Sequence, residues 1–276
     1  NRKAPPAPVA GQKKQRSAGS MVDYGTPKTL DPTGKALTIG AWCISEKAGG
    51  VVMAHGGPFN GYALVVLKGK PTFMVRSGKQ LATATAKIKV TNKWIHLAGV
   101  LTKDKQMRLY VNGELAAEAK APGLIESVPV QGLQVGADDG SAVGDYTTPF
   151  PFKGVVDEVR VYHRALNEQE MTKLADWGNE PKDKSLVLYS GFEKGKAIDD
   201  SGNKHLGKLS GVNIVRAKTG QAIHFTGKST PGGGGPGVEH HWTQDIPILV
   251  RAMAKAGDTL FLIGPPDLVD EEETFA

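Results

Sequence analysis

Hydrophobic and polar residues alternate with a two-residue period in many short stretches of this chain, which is the pattern of half-buried β-strands. In the stretch 36–44, Leu37 and Ile39 fall on one face and Trp42 falls on the other. Further strand-like runs cover 61–67, 72–76, 93–101, 106–112, 133–136, 152–162, 186–189 and 222–225. Turn residues separate these runs, and Asn112-Gly113 is the strongest hairpin signal. Repeated strands and turns predict an all-β, antiparallel sandwich or barrel.

One stretch has the spacing of a helix instead. Asn167 fits an N-cap, Glu170 follows three residues later, and Met171 and Leu174 are spaced for one apolar face. This arrangement is a capping box with asparagine at the cap position. It predicts one short helix that ends before Pro181.

Composition and charge exclude several classes of protein. The 276 residues include 35 Gly and 17 Pro, an excess that favours a turn-rich all-β chain over a helical bundle. No run of 18 apolar residues occurs, so we expect no membrane-spanning helix. Residues 1–20 are basic and residues 264–276 are acidic, and these two charges cancel. The net charge of +6 therefore lies in the residues between them, where it is spread thinly. Because nucleic-acid-binding surfaces concentrate their positive charge, we expect no nucleic-acid partner. A single cysteine, Cys43, excludes an intrachain disulfide.

The chain divides into four predicted segments. Residues 1–20 are rich in Pro, Ala, Lys and Gln without periodicity, which predicts a disordered tail or linker. Residues 21–227 hold the strand-like runs, and 228–241 form a Gly/Pro-rich linker. Residues 242–276 contain a single hairpin-like pair of runs. They predict part of a following domain, because a lone hairpin is marginally stable in water.

Common catalytic motifs are missing from the sequence. It contains neither G-x-S-x-G nor H-E-x-x-H, and a G-x-G-x-x-G match at 232–237 lies in the linker with no helix after it. Asp157 and Glu158 are neighbours on a predicted strand, and a regular strand points such side chains to opposite faces. We therefore predict no catalytic residue and no enzyme. His96 and Cys43 are predicted to be core residues.

Four sequence blocks point to a known fold. They are 94–98 (WIHLA), 109–113 (LYVNG), 133–136 (LQVG) and 154–166 (GVVDEVRVYHRAL). Their order and spacing resemble the laminin G-like, concanavalin A-like jelly-roll domains. The resemblance covers roughly 21–180 and implies two packed antiparallel sheets. The end of the chain, 246–272, weakly resembles the start of a quinoprotein-like β-propeller.

The opening strands of that family are displaced in this chain. Members of the family open with a strand, a D-x-S-G-N turn and a G-x-A-x-x-F strand, and here these lie at 188–193, 199–203 and 220–227. Either 186–227 closes the first jelly roll in permuted strand order, or it opens a second one. We favour the permuted order, because a sandwich without these strands would have unpaired edges and an uncovered core.

The polar turn at 199–203 has two interpretations of equal weight. The resemblance implies a structural Ca²⁺ near this turn, held with help from the aspartate of the D-E-V strand. The predicted metal ligands are Asp157, Asp199, Asp200 and Asn203, since hard cations prefer several oxygen ligands. The alternative is an Asx-turn, in which the side chains bond only their own backbone.

Candidates for ligand binding share an aromatic or hydrogen-bonding side chain close to a glycine-rich or acidic loop. They are His55, Asn60, Tyr62, Arg76, Asp138, Asp139 and Tyr146. The acidic loop 137–145 lacks the calcium-loop pattern, so we favour a solvated loop over a metal site there.

The resemblance and the missing motifs predict a non-catalytic binding or adhesion module for carbohydrate in a larger bacterial protein. The resemblance implies a secreted, periplasmic or cell-surface location, although no signal peptide is visible at the N-terminus. It also implies a glycan or cell-surface protein as partner and contact with a following domain. Two alternatives stay open: a glycan-cleaving jelly-roll hydrolase or lyase, and a structural spacer packed on an adjacent β-propeller.

Overall fold

A computed structural model describes residues 16–176, 183–231, 250–257 and 259–265. The chain forms two compact units. The larger unit spans 14–233, and the smaller unit includes a hairpin at 252–263.

Strands are the main regular structure in the described part of the larger unit, as the alternation predicts. In chain order they are β1 (Arg16–Ala18), β2 (Met21–Asp23), β3 (Leu37–Ser45), β4 (Gly49–Gly56), β5 (Gly61–Leu67), β6 (Lys70–Ser77), β7 (Gln80–Thr85), β8 (Ile95–Leu101), β9 (Gln106–Val111), β10 (Glu114–Lys120), β11 (Leu133–Val135), β12 (Lys153–Tyr162), β13 (Leu186–Ser190), β14 (Ala197–Ile198), β15 (Leu206–Ser210), β16 (Asn213–Arg216), β17 (Gln221–Thr226) and β18 (Ser229–Pro231). One α-helix, α1 (Glu168–Leu174), and two short 3₁₀ helices (Lys28–Leu30 and Glu193–Gly195) complete the described elements of this unit.

Sixteen of these strands form two eight-stranded antiparallel sheets, and β1 pairs with β18 in a separate two-stranded sheet. The first sheet runs β10-β9-β8-β3-β12-β17-β16, and β13 also pairs with β12. The second sheet runs β14-β15-β2-β11-β4-β5-β6-β7. The all-β sandwich predicted from the sequence is therefore confirmed.

The two sheets face each other across one hydrophobic core. Ile39 and Leu97 of the first sheet and Leu64 and Phe73 of the second are fully buried in it. A Cβ atom at Gly99 of β8 would overlap the ring of Phe73. The absence of a side chain at Gly99 thus lets an aromatic ring of the opposite sheet reach β8.

The segment after α1 contributes strands to both sheets. Strand β17 pairs with the first half of β12, and β13 pairs with its second half. Strand β15 pairs with β2 in the second sheet. Ile223 and Phe225 of β17 are fully buried in the common core. Residues 186–226 thus lie within the sandwich.

A helix packs on the outer face of the first sheet, and a loop packs on the outer face of the second. Met171 and Leu174 of α1 pack over Tyr110 and Tyr162 of the first sheet. The capping box predicted for this helix is present, with Asn167 and Glu170 each accepting the other's backbone N–H. The loop 137–150 packs on the outer face of the second sheet through Val143 and its neighbours.

A β-bulge interrupts β12 between Asp157 and Arg160. Glu158 within it has a φ of 55°, a left-handed conformation that few non-glycine residues adopt. The expectation that Asp157 and Glu158 point to opposite faces assumed a regular strand. That premise is wrong here, because strict alternation does not pass through a bulge.

The predicted segment boundaries differ slightly from the observed strands. Arg16–Ala18, assigned to the tail 1–20, pairs with Ser229–Pro231, assigned to the linker 228–241. Ser20 is buried, and its hydroxyl accepts the backbone N–H of Thr226 at 2.9 Å. The remaining tail (1–15) and linker (232–241) residues lie outside the described part of the chain.

The smaller unit contains an antiparallel hairpin of β19 (Ala252–Ala256) and β20 (Thr259–Ile263). Met253, Phe261 and Ile263 are exposed on it. Its resemblance to a β-propeller blade stays a prediction. Among the described residues, no helix has the length and apolar character needed to cross a membrane.

Candidate functional site

A surface cavity of about 530 Å³ lies beside β13. The described residues that line it are Asp183, Lys184, Leu186, Tyr189, Asp200 and Ser201. They come from two stretches of the chain, β13 with the residues before it and the turn that follows β14. We call this site the Tyr189 cavity.

The carboxylate of Asp199 fixes the turn on one side of the Tyr189 cavity. One oxygen accepts the backbone N–H groups of Tyr189 at 2.9 Å and Ser201 at 2.8 Å. The other accepts the N–H of His205 at 3.3 Å. The N–H of Asp200 bonds to the carbonyl of Tyr189 at 2.8 Å. The turn is therefore tied to β13, and Asp200 and Ser201 are held at the cavity.

The ring of Tyr189 is fixed from behind by a charged cluster. Its hydroxyl donates to the carboxylate of Glu158 at 3.1 Å. The guanidinium of Arg160 lies 4.4 Å from the ring centroid, a cation–π contact. Arg160 is 2% exposed and forms an ion pair with Glu158. The aromatic wall of the cavity is thus preorganised.

Asp157 lies next to this cluster and is 1% exposed. Burial, followed by the negative charge of Glu158, raises the pKa of Asp157 to about 8. Its Oδ1 accepts the backbone N–H of Glu158 at 2.8 Å. Asp157 therefore keeps its proton at neutral pH, whereas Glu158 is paired with a cation.

Two further lining residues of the Tyr189 cavity are held by neighbouring side chains. Leu186 is buried in the cluster beneath α1. Asp183 bonds Arg164 at 2.6 Å and accepts the hydroxyl and N–H of Ser185 at 2.5 and 2.7 Å. Arg164 also bonds Glu170 at 2.6 Å. These bonds lower the pKa of Asp183 to about 2, so it stays ionised and fully engaged.

Two charged side chains of the Tyr189 cavity are uncommitted. Lys184 and Asp200 are exposed, and neither makes a side-chain hydrogen bond or ion pair within the described part of the chain. Chemically, the site combines an aromatic ring, an apolar side chain, one ammonium, the Ser201 hydroxyl and two carboxylates, of which Asp183 is bound by Arg164. Among the described lining residues, no nucleophile is paired with a base.

Comparison with known proteins identifies the family. The family model for laminin G domains of the concanavalin A-like lectin/glucanases superfamily matches residues 17–172. The chain belongs to this superfamily. The matched segment ends before β13, so the Tyr189 cavity lies beyond it. No curated protein matches the chain.

Solved structures share the concanavalin A-like fold with this chain. A heptameric SAP-like pentraxin from Limulus polyphemus is 12% identical, with a TM-score of 0.51, and the match covers 80% of this chain and 93% of the pentraxin. A putative carbohydrate binding protein from Bacteroides ovatus ATCC 8483 is 17% identical, also with a TM-score of 0.51. That match covers 79% of this chain and 61% of the other. At these identities the likeness concerns the fold.

The four predicted calcium ligands lie on two segments of the concanavalin A-like sandwich, β12 and the turn after β14. Asp157 lies in the bulge of β12, whereas Asp199 bonds the turn backbone. The amide of Asn203 donates to the carbonyl of Val187 at 3.1 Å, and Asp200 is exposed. No cluster of three or more His, Cys, Asp or Glu side chains suited to a metal occurs among the described residues. Bound calcium stays a prediction from the resemblance.

The predicted ligand-binding residues near β4 to β6 form hydrogen bonds within the protein. His55 and Tyr62 are 3% and 0% exposed and lie 3.3 Å apart through Nδ1 and the hydroxyl. Asn60 accepts the N–H of Gly78, and Arg76 donates to the carbonyl of Val143. In this structure, His55 and Tyr62 do not reach the surface.

The acidic loop is organised around Asp138. Its carboxylate accepts the hydroxyl of Tyr146 at 2.5 Å and the N–H of Val143 at 3.0 Å. Burial raises the pKa of Asp138 to about 6. Asp139 accepts the N–H of Ala18 at 3.2 Å. The loop residues therefore bond one another and β1, and none of them lines the Tyr189 cavity.

His96 and Cys43 are both fully buried, as the sequence predicts. His96 lies 5.5 Å from Trp42 between ring centroids, and burial lowers its pKa to about 3. Burial raises the pKa of the Cys43 thiol to about 12. Neither group lines the Tyr189 cavity.

Sequence reasoning misses most residues of the Tyr189 cavity. It identifies Asp200, but as a metal ligand, and it gives no ligand-binding role to Lys184, Leu186 or Tyr189. Tyr189 ends an apolar strand, which by itself predicts packing. Only the pairing of β13 with β12, together with the bonds of Asp199, brings these side chains together.

Proposed function

We propose that the larger unit is a non-catalytic carbohydrate-binding module and that the Tyr189 cavity is its binding site. The observation that carries this proposal is the rigid cavity wall, where Tyr189 is held by Glu158 and Arg160 beside the uncommitted Lys184 and Asp200. Preformed sites with a few fixed polar groups are typical of ligand binding. Membership of the concanavalin A-like lectin/glucanases superfamily supports the same function.

Sugar chemistry matches this lining. A sugar ring has an apolar C–H face that packs on an aromatic or aliphatic surface, here Tyr189 and Leu186. Its hydroxyls both donate and accept hydrogen bonds, for which Asp200, Ser201 and Lys184 are suitable partners. The Bacteroides ovatus protein of the same fold is itself described as a putative carbohydrate binding protein.

The buried carboxylates favour binding over glycan cleavage. Asp157 and Glu158 are adjacent carboxyl groups, but neither lines the Tyr189 cavity. The two carboxyl groups that do line it are Asp183 and Asp200. Arg164 holds the pKa of Asp183 low, so Asp183 supplies no proton to a leaving group. Glu158 is held by Arg160 and Tyr189. A hydrolase of this fold would need two carboxyl groups facing one substrate across about 5–9.5 Å. We therefore assign the cluster a supporting role for the cavity wall.

The wider context is part of the same proposal. We propose that the module serves a larger secreted or envelope-associated bacterial protein, with a glycan or a glycan-bearing cell-surface protein as partner. The hairpin β19–β20 then belongs to a following domain. Its exposed apolar side chains, among them Met253 and Phe261, support this assignment, because a lone hairpin buries too little surface.

The proposal is tested with a glycan array and the full chain. We expect binding to at least one glycan class, and a loss of at least tenfold in affinity for Lys184→Ala and Asp200→Ala. The matched controls Lys103→Ala and Glu126→Ala change exposed charges away from the cavity and should bind as the parent does. If the cavity variants and the control variants bind equally well, the binding site lies elsewhere on the protein. If the chain binds no glycan, the proposed carbohydrate-binding function is refuted.

A further inference from the structure

We infer that β16, at the edge of the first sheet, binds an extended acidic peptide of a protein partner and takes it up as a further strand. None of the residues that line the Tyr189 cavity belongs to β16, and this activity does not depend on carbohydrate binding. Three features of the edge point to it: unpaired backbone groups, an exposed apolar side chain and an excess of basic residues.

Strand β16 is the last strand of the first sheet, and among the described strands it pairs only with β17. The N–H of Ala217 donates to the carbonyl of Gly220 at 3.1 Å and closes the hairpin between the two strands. Bonded and non-bonded pairs alternate along an antiparallel ladder. Counting back from Ala217, every second residue is bonded to β17, so Ile214 and Arg216 direct their N–H and C=O groups away from it.

A second bond supports this alternation. Gln221 lies opposite Arg216 in the register, and its N–H donates to the carboxylate of Glu193 at 3.4 Å. A bonded pair would direct this N–H to β16 instead. Within the described part of the chain, no hydrogen bond reaches the outward groups of Ile214 and Arg216. These two donors and two acceptors at a sheet edge form a template for another strand.

The side chain of Ile214 adds an apolar contact at the same edge. It is 41% exposed. A Cβ atom at Gly195 would lie 3.1 Å from its Cγ1, so the 3₁₀ helix Glu193–Gly195 packs against the isoleucine on one side. A side chain of an added strand can pack on the part that stays exposed. Main-chain bonds combined with such side-chain contacts are the usual basis of strand addition.

The charges beside β16 are mostly basic. Two segments border this edge, 193–196 and 213–220. Their basic residues are all exposed, and these are Lys194, Lys196, Arg216 and Lys218. Their one acidic residue is Glu193, whose carboxylate accepts the N–H of Gln221. Four basic residues and one acidic residue give these segments a net charge of +3, which favours an acidic peptide over a basic one.

The unpaired backbone distinguishes a peptide from other polyanions. A sulfated polysaccharide would complement the positive charge, but it has no regular row of N–H and C=O groups to pair with Ile214 and Arg216. An extended peptide repeats its donors and acceptors every second residue, at about 7 Å, which is the spacing of the outward groups of β16. The edge therefore favours a peptide.

The test measures the binding of three fluorescein-labelled peptides to the full chain by fluorescence anisotropy at low salt. The acidic probe is TEVEVET, its basic counterpart is TKVKVKT, and the third probe is TEVEVET with N-methyl groups on its three central residues. N-methylation keeps the charge but removes N–H donors on both edges of the peptide. We expect the acidic probe to bind at least tenfold more tightly than the other two. Its affinity should fall as the salt concentration rises, because the charges involved are exposed.

Variants of the full chain test whether the peptide binds at β16. Arg216→Glu and Lys196→Glu should each weaken binding of the acidic probe at least fivefold, whereas Lys103→Glu, at an exposed lysine elsewhere, should leave it unchanged. Ile214→Pro removes one outward N–H, which an edge strand tolerates, and should weaken binding at least tenfold. Ile214→Ala keeps that N–H and should lose less. Equal losses in the proline and alanine variants would show that the backbone of β16 does not pair with the peptide, and the inference would be wrong.

Hydrogen exchange followed by mass spectrometry locates the contact directly. The bound acidic probe should slow exchange in 213–216 and leave 80–85 unchanged, which is the edge strand β7 of the second sheet. If the methylated and unmethylated probes bind equally, or if dextran sulfate binds more tightly than the acidic probe without protecting 213–216, the edge attracts polyanions by charge alone and the inference is overturned. Absence of binding by the acidic probe, or protection of 80–85 instead, overturns it as well.

Discussion

The carboxylate of Asp199 accepts the backbone N–H of Tyr189 at 2.9 Å. This bond joins the turn at 199–203 to β13, so the two stretches that line the Tyr189 cavity cannot shift independently. Asp199 is 3% exposed, and the N–H groups of Ser201 and His205 share its two oxygens. Its side chain is therefore committed to the backbone, which favours the Asx-turn interpretation of this acidic turn.

Replacing Asp199 with alanine should destabilise the larger unit with or without calcium. The substitution leaves backbone N–H groups of Tyr189 and Ser201 without their acceptor, which costs about 1–3 kcal/mol for a buried donor. Urea unfolding in calcium and in excess chelator measures the loss. Asp200→Ala, at an exposed residue of the same turn, is the control and should change stability by less than ~0.5 kcal/mol. A loss confined to the calcium buffer would show instead that Asp199 binds the ion.

The stability of the larger unit should fall as the pH rises from 6.5 to 8 because of Asp157. Its native pKa is raised to about 8, whereas an unfolded carboxyl loses its proton near pH ~4. In this interval the native state holds one proton more than the unfolded state, so the free energy of unfolding decreases with pH. The slope from one such group is at most about 1.4 kcal/mol per pH unit.

Asp157→Asn should remove that slope. Asp138, with a pKa near 6, acts mainly below this interval. Burial lowers the pKa of His55, His96 and His163 to about 4, 3 and 4, so these histidines add an opposite, rising contribution near pH 6.5, where the unfolded histidines still bind protons. That contribution is the same in the parent and in the variant, so the difference between their slopes reports Asp157. Urea midpoints at pH 6.5, 7.25 and 8 measure the effect, and Asp200→Asn is the exposed control. A parent and an Asp157→Asn variant with equal slopes would contradict the assignment.

The contribution of α1 to the stability of the larger unit should depend on its capping box. The side chain of Asn167 accepts the N–H of Glu170 at 3.0 Å. Asn167→Ala removes this bond and should lower the free energy of unfolding by about 1 kcal/mol, whereas Asn167→Asp keeps the acceptor and should lose little. Thermal unfolding compares the three proteins. Equal stability of the alanine and aspartate variants would show that the cap does not matter.

The sequence predicts the strands and the helix because their signals are local. Alternation at 36–44 and the cap at Asn167 depend only on near neighbours along the chain. The bulge at Glu158 has no such signal, since a glutamate with positive φ is held there by its surroundings. The Tyr189 cavity also depends on contacts between distant segments. The carboxylates of Asp199 and Glu158 position Tyr189 across 10 and 31 residues, and no short-range pattern records such bonds.

Residues 186–226 should fold together with the preceding strands as one cooperative unit. Phe225 of β17 is fully buried in the core shared by both sheets. A Cβ atom at Gly136, next to β11 of the second sheet, would overlap its ring. Phe225→Ala leaves a cavity at this contact and should cost about 3–5 kcal/mol.

If the unit is cooperative, this cost appears in strands far from Phe225 in sequence. Hydrogen exchange followed by mass spectrometry should show faster exchange in 37–45 and 95–101 of the Phe225→Ala variant, at the same rate as in 221–226. The matched control is Phe261→Ala, at an exposed phenylalanine of the hairpin in the smaller unit, and it should leave exchange in all three peptides unchanged. Exchange that accelerates only in 186–226 would show that this segment unfolds alone, and the larger unit would then consist of two folding units.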